Sequence, residues 1–201
     1  MSAAPGTFIL LPVPPSPRDA APGLQHVWIN ATGHEPYYVD EVDRMSWIRR
    51  LVVVLDRFSW TCLAFCQVTT HVHLLLETGD ASLPLGMKQL NHAYSRHFND
   101  RHARAGQFVR RRYCSRRVRT GSDLLGVYAY VVLNAVEAGL TPRVEDWRWC
   151  SYSTTLGLTD DFAFVDASRV LGEVDGSRER LRAFVDARLE ARRSSSATAG
   201  V

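Results

Sequence analysis

The stretch WTCLAFCQVTTHVHLLLE (residues 60–77) decides the fold. It holds two apolar runs, residues 60–68 and 71–77, separated only by Thr69-Thr70. Each run has the length of a strand and is too short for a typical helix. Runs joined so tightly pair as antiparallel neighbours. Side chains two apart on a strand share a side, so His71 and His73 point one way while Val72, Leu74 and Leu76 point the other, into a core. The apolar residue between the histidines is what holds the pair rigid. Two imidazoles on one side of a strand can share a metal ion, but two surface histidines have the same spacing. The pair alone leaves both readings open.

Upstream, HVWINAT (26–32) is rich in β-formers and is punctuated by Gly33 and Pro36. Between Val39 and Arg57, Val42, Met45, Ile48, Val52 and Leu55 recur at helical steps. Asp40 and Glu41 lie early and Arg49, Arg50 and Arg57 late, as the helix dipole prefers. Downstream, a second helix is expected from about Leu83 to Ala103, with Met87, Leu90, Tyr94 and Phe98 on one face. QFVRRRYCSRRVRT (107–120) reads as an arginine-bearing edge strand. Ser122 can cap a third helix over 123–138, which Gly139 stops, with Pro142 beyond. WRWCSY (147–152) is an aromatic patch, and a last amphipathic helix carries Leu181, Phe184, Val185 and Leu189.

The order is strand, helix, strand, strand, helix, strand, helix. That predicts an α+β protein: a ferredoxin-like antiparallel sheet with helices on one face, an added helix, and a second face to carry a site. The expected organisation is a disordered Pro-rich extension over 1–23, one domain over 24–157, a C-terminal helical extension over 158–193 and a disordered tail over 194–201. There is no internal repeat.

At 201 residues the chain is about one domain, and 46% hydrophobic with 22% charged residues are ordinary soluble values. No apolar run reaches the ~18 residues of a membrane span. The start, MSAAPGTFILLPVPPSPRDAAPG, lacks a basic n-region and is broken by prolines, so a cytoplasmic protein is the default expectation. Four scattered cysteines do not make a disulfide framework. Cys62 and Cys66 have the spacing CxxxC, open to zinc ligation, but they sit in a strand where cysteine behaves as a small hydrophobe.

The net charge of +3 decides nothing, but its distribution does. Twenty-three of the 24 basic residues are arginine, and nine of them fall between Arg96 and Arg119 against one acid, Asp100. Arginine suits bidentate phosphate contacts. A solvated arginine-rich face would explain arginine over lysine, but not the missing acids.

In the third helix, LLGVYAYVVLNAVEAGL, the apolar stripe is Leu124, Tyr128, Val131, Val132 and Ala135. Tyr130 and Asn134 lie one turn apart off that stripe, while Tyr128 is about 200° away and belongs to the core. A surface tyrosine beside a polar neighbour is one reading of the pair. A nucleophile beside a metal ligand is the other. Two imidazoles and an amide oxygen, with no thiolate, suit Mg²⁺ or Mn²⁺ in an open octahedral site better than structural zinc.

From about Gln25 to Leu156 the chain resembles the single-tyrosine HUH transposases, specifically the branch of REP-associated tyrosine transposases. HVWINATGHEPYYVDEVDR is similar to that family's first strand and following loop, and AFCQVTTHVHLLLE to its strand, turn and HUH strand. LNHAYSRHFNDRHARAGQFVRRRYCSRRV resembles its second helix and basic strand. YVVLNAVEAGL followed by DWRWCSY resembles its tyrosine helix and the aromatic segment behind it.

The resemblance implies a DNA transposase: a metal-dependent single-stranded DNA endonuclease and strand transferase. His71 and His73 would be its HUH ligands, Asn134 the third ligand and Tyr130 the nucleophile, with Mg²⁺ or Mn²⁺ as cofactor. It implies a 5′-phosphotyrosyl enzyme, a free 3′-hydroxyl and strand transfer by reversal. The family's substrate is a DNA hairpin with a flanking single-stranded guide, and Arg110, Arg111, Arg112, Arg116 and Arg117 are the candidates for gripping its backbone. Monomer and homodimer both fit.

Two departures stand out. Thr69-Thr70 replaces the usual Pro-Asn before the first histidine, and Asn134-Ala135-Val136-Glu137 replaces Asn-Pro-Val-Arg. The second exchanges an arginine for an acid beside the expected DNA path. They motivate an alternative, a domesticated relative that binds hairpin DNA or RNA as a regulator with little or no cutting. A metal-free ferredoxin-like interaction module is a third reading. It does not account for four site residues falling in family order.

Overall fold

A computed structural model describes residues 21–31, 35–80, 82–109 and 113–198. The expectations for residues 1–20 and 199–201, and for Arg110, Arg111 and Arg112, lie outside the described residues. The elements run β1 (Gly23–Asn30), α1 (Glu41–Phe58), β2 (Thr61–Gln67), β3 (His71–Thr78), α2 (Leu83–Arg101), β4 (Cys114–Arg117), α3 (Ser122–Glu137), α4 (Tyr152–Thr155), α5 (Ser168–Gly172) and α6 (Arg178–Thr198). A single 3₁₀ turn, Val144–Asp146, follows α3. The sheet order is β2-β3-β1-β4 with every neighbour antiparallel, the ferredoxin-like arrangement that the element order predicts. No described helix is long and apolar enough to cross a membrane.

Each boundary has a local cause. Asp40 caps α1 by accepting from the Asp43 amide at 3.0 Å, and Ser59 closes the helix in the left-handed region. Thr69-Thr70 makes the β2–β3 turn, with the Val68 amide bonded to the His71 carbonyl at 3.0 Å. The same two residues hold the loop after β1. Their carbonyls accept from the Tyr37 and Ala31 amides at 2.7 and 3.0 Å. Gly139, at φ 70°, turns the chain out of α3 as expected.

The sheet separates two apolar layers. On one face α1 and α2 bury Trp47, Leu51, Met87, Leu90, Tyr94 and Phe98 against Val27, Ile29, Phe65, Val72, Leu74 and Leu76. On the other, α3 lays Leu124, Tyr128, Val131, Val132 and Ala135 against Leu63, Ala64, Cys66 and Leu75. Val170 of α5 and Leu181 and Val185 of α6 complete this second layer. The face carrying the histidines is therefore partly roofed by α3. The aromatic segment after α3 encloses a buried cation: the Arg44 guanidinium lies 5.2 Å from the Trp147 ring centre and 5.8 Å from that of Trp149.

Several boundaries differ from the expectation. The first strand starts three residues before His26, because Gly23 pairs with Thr78 and extends the ladder beyond the β-formers. Among the described residues of the basic stretch, the strand covers Cys114–Arg117, at the edge beside β1, and Val109 adds one isolated bridge to Ala31. Ser122 does not cap α3. Gly121 is the cap residue, no side chain bonds there, and Asp123 instead takes the Arg119 amide at 2.7 Å. The tail expected to be disordered from Ser194 continues α6 to Thr198, since serine and alanine do not break a helix already seated on α3.

The zinc reading of Cys62 and Cys66 fails on geometry. A register shift between Cys62 and Ala64 sends Cys62 into the α1–α2 layer and Cys66 into the α3 layer. Both are free thiols, and burial pushes Cys62 up to about 12.

Candidate functional site

Strand alternation places His71 and His73 on the α3 side of the sheet, with Val72 and Leu74 fully buried on the other. Their ring centres are 5.0 Å apart and perpendicular. Helix α3 then brings Tyr130 and Asn134 down on the same side. The His71 Nε2 and Asn134 Oδ1 atoms are 3.3 Å apart, and the Tyr130 ring stands edge-on to His73 with centres 5.3 Å apart. Asn134 Nδ2 donates to the Tyr130 carbonyl at 2.7 Å, which orients the amide so that its oxygen faces His71. Four residues from two elements thus share one small volume.

Sequence reasoning missed a fifth. His26 on β1 is buried and shares a 2.9 Å hydrogen bond between its Nε2 and His73 Nδ1. Its ring stacks on His73 at 5.1 Å and meets Tyr130 edge-on at 5.4 Å. A signal was present. His26 and Trp28 repeat the same-side spacing of His71 and His73, and the antiparallel register sets Trp28 directly opposite His73. It became readable only once β1 was known to neighbour β3.

The electrostatics keep these rings neutral. Burial pulls His71 below its ordinary value, with the Asn134 hydrogen bond opposing. Burial, then His26 and His71, takes His73 well below. Burial, then Arg116, lowers His26 to about 3. Neutral imidazole is the form that ligates a metal. Burial raises the Tyr130 phenol above its usual range while the Arg192 guanidinium opposes it.

The donors fit a small hard cation. His71 Nε2 and Asn134 Oδ1 are separated by about the distance between adjacent ligands at ~2.1 Å from one ion. His71 Nδ1 is 3.1 Å from the Thr70 hydroxyl, which can donate or accept and so holds either tautomer of the ring. Thr70, one of the two departures before the histidines, therefore has a role at the site. His73 engages Nδ1 with His26, so Nε2 is the ring nitrogen not used in that bond. Among the described residues no group of three or more His, Cys, Asp or Glu is placed to hold a metal, and the oxygen that stands beside His71 Nε2 is that of the Asn134 amide.

The arginines divide. Arg116 pairs with His26 across the β1–β4 ladder and shares its face, whereas Arg117, opposite Gln25, falls on the other. Both are exposed, and Arg116 is bound to Asp123 at 2.9 Å, an acid lying just beyond the basic stretch. Glu137 does face the site side of α3, where it pairs with Arg192 from α6.

No family model matches this chain, and no curated protein matches it. One solved structure does: a REP-associated tyrosine transposase bound to a REP hairpin superposes with a TM-score of 0.61, at 13% identity, over 78% of this chain and 86% of that one. The chain has the fold of a REP-associated tyrosine transposase. At that identity the likeness is one of fold, an α+β chain with a four-stranded antiparallel sheet and packed helices. In this chain the histidine pair and Tyr130 come from β3 and α3, which the packing above brings face to face.

Proposed function

We propose that the protein is a metal-dependent single-stranded DNA endonuclease and strand transferase that works on hairpin-flanked DNA through Tyr130. The observation that carries this reading is the convergence of His71, His73, Asn134 and Tyr130 on one side of the sheet, with a 3.3 Å contact between His71 and Asn134. Hairpin DNA is the substrate class because the similar fold is known bound to a REP hairpin, and because Arg116 borders the site.

His71, His73 and Asn134 would hold Mg²⁺ or Mn²⁺, which when bound supplies positive charge to the scissile phosphate. The chain's own groups do the rest. His26 holds His73, Thr70 holds His71, and the bond from Asn134 to the Tyr130 carbonyl ties ligand and nucleophile to one helix turn. The Tyr130 oxygen forms a bond to phosphorus as the phosphorus–O3′ bond breaks. The phenolic proton is released to solvent, and the departing 3′ oxygen takes up a proton as a free hydroxyl. The 5′-phosphotyrosine keeps the bond for attack by another 3′-hydroxyl, which reverses the step and joins strands.

The test is a covalent adduct. Purified protein with Mn²⁺ and a pool of 3′-labelled hairpin oligonucleotides bearing randomised single-stranded flanks should yield a protein–DNA species on a denaturing gel. The species should be lost in Tyr130→Phe and in the His71→Ala, His73→Ala double variant. An undiminished adduct in Tyr130→Phe rejects Tyr130 as nucleophile. Salt-sensitive hairpin binding without nicking under any metal makes the protein a binding regulator instead.

A further inference from the structure

The aromatic segment after α3 lies along the outer edge of β2 and meets it antiparallel at one isolated bridge, between Cys66 and Cys150. The Gln67 amide donates to the Trp149 carbonyl at 2.9 Å and the Ser151 amide to the Phe65 carbonyl at 3.0 Å. These bonds flank the two cysteines, which are therefore the non-hydrogen-bonded pair of the bridge. In such a pair the facing Cα atoms are about 4.5 Å apart and the side chains approach most closely. A disulfide spans Cα atoms roughly 4.4–6.8 Å apart. Side chains hold the register. The Ser151 hydroxyl accepts from the Phe65 amide at 2.9 Å, and Trp147 Nε1 donates to the Gln67 carbonyl at 2.8 Å. The two thiols are hydrogen-bond partners, and neither is in a disulfide.

We propose that Cys66 and Cys150 are a redox pair, which hydrogen peroxide converts to a disulfide tying the aromatic segment to β2. One sulfur attacks the O–O bond of the peroxide, and its proton leaves with the departing oxygen as water, giving a sulfenic acid. The other sulfur then attacks the sulfenic sulfur. The S–S bond forms, the S–O bond breaks, and the second thiol proton leaves with the oxygen as a second water. The two sulfurs together lose two electrons, which the peroxide takes up. The surroundings accept the change. Cys150 Sγ donates to the Val132 carbonyl at 3.8 Å, and the Cys66 thiol to the Ala135 carbonyl. A disulfide gives up both bonds, but Val132 lies inside α3, where the helix itself supplies a donor, and the Ala135 carbonyl also accepts from the Leu140 amide at 3.0 Å. No buried acceptor is orphaned. Cys62 faces the opposite layer and Cys114 lies on β4 at the far edge of the sheet, so neither competes. The cross-link closes a loop through β3, α2, β4 and α3, and long closed loops restrict the unfolded chain most. Both cysteines are buried, so the oxidant reaches them through local opening and the reaction is slow.

The test treats the full chain with hydrogen peroxide at neutral pH, alkylates the remaining thiols after unfolding and maps the digest by mass spectrometry. Peptides joined through Cys66 and Cys150, lighter by two hydrogens, should appear, with Cys62 and Cys114 alkylated. The oxidised protein should melt about 5–15 °C above the reduced one, and dithiothreitol should reverse the rise. The wild type carries this comparison by itself, whether or not any variant folds. Cys150→Ser should show neither the cross-link nor the reversible rise, while Cys62→Ser should keep both. Linkage to Cys62 or Cys114 overturns the proposal, as does oxidation to sulfinic acid with no link. So does a protein in which all four cysteines remain open to alkylation. A link between Cys66 and Cys150 that leaves the melting temperature unchanged or lower overturns it too, because the folded geometry would then not accommodate the bond. None of these readouts involves DNA, so the outcome is separate from that of the nuclease reading.

Discussion

His26 and His73 share a 2.9 Å hydrogen bond between two buried imidazoles from neighbouring strands. One ring nitrogen donates and the other accepts, so the bond sets both the tautomer and the rotation of His73. The consequence is measurable. His26→Ala should lower Mn²⁺ affinity by about 10- to 100-fold, the usual loss when a ligating histidine loses its outer partner. Calorimetric titration against the wild type reads it, and an unchanged affinity would show that packing alone orients His73.

The same burial ties stability to pH. Folding lowers His26 from an ordinary 6.5 to about 3 and lowers His71 and His73 as well, so the folded state binds fewer protons than the unfolded one below pH 6.5. The stability these neutral rings confer is full above pH 6.5 and is lost as pH falls from there toward 3. Each ring that stays neutral removes about 1.4 kcal/mol per pH unit in that window. Urea denaturation at pH 7 and pH 5 should show the loss, and a His26→Gln variant should show a smaller pH dependence. Equal dependence in the two proteins would mean that His26 is not buried as a neutral ring.

Gly86 sits where α2 passes over Trp60. A Cβ there would lie 2.6 Å from Trp60 Cζ2, and the ring is pinned by its Nε1 bond to the Ser82 hydroxyl at 2.8 Å. Although alanine is the better helix former, Gly86→Ala should therefore destabilise by about 1–3 kcal/mol through overpacking. Chemical denaturation checks the sign, since a stabilised variant would mean that Trp60 swings away freely.

Asp43 is fully buried and accepts from the Val39 amide at 2.9 Å, Arg101 Nη1 at 2.7 Å and His102 Nε2 at 2.9 Å. It joins the start of α1 to the end of α2. Asp43→Ala removes the acceptor shared by the Val39 amide, Arg101 and His102, while Arg101 keeps its pair with Asp40 at 2.6 Å, and should cost about 1.5–3 kcal/mol, the range for hydrogen bonds to a charged group. A loss under 1 kcal/mol in thermal or urea unfolding would show the network to be solvent-screened.

The parts of this protein legible in sequence are those set within a few residues. Period-two alternation put His71 and His73 on one side of β3 and Val72, Leu74 and Leu76 on the other, and the structure agrees. Helical spacing set Tyr130 and Asn134 off the apolar stripe of Tyr128, Val131 and Val132, and packing against β3 buries Asn134 as well. The element order was enough for the sheet topology. Where reading failed, a distant contact had overridden a local signal. Pairing with Thr78 lengthened β1 at Gly23, and seating on α3 carried α6 through serines that look like a tail. At Cys62 and Cys66 a bulge inverted the period on which the spacing argument relied.

By itself, then, the sequence determined the sheet, the histidine pair and the tyrosine helix, because backbone geometry repeats every two or 3.6 residues whatever surrounds it. Only the tertiary structure decided what stands around that pair. His26 reaches His73 because β1 lies beside β3, and Arg192 reaches Tyr130 because the stripe of Leu181 and Val185 docks α6 on α3. No period relates such residues to one another. Their meeting is set by which apolar faces the chain could bury together.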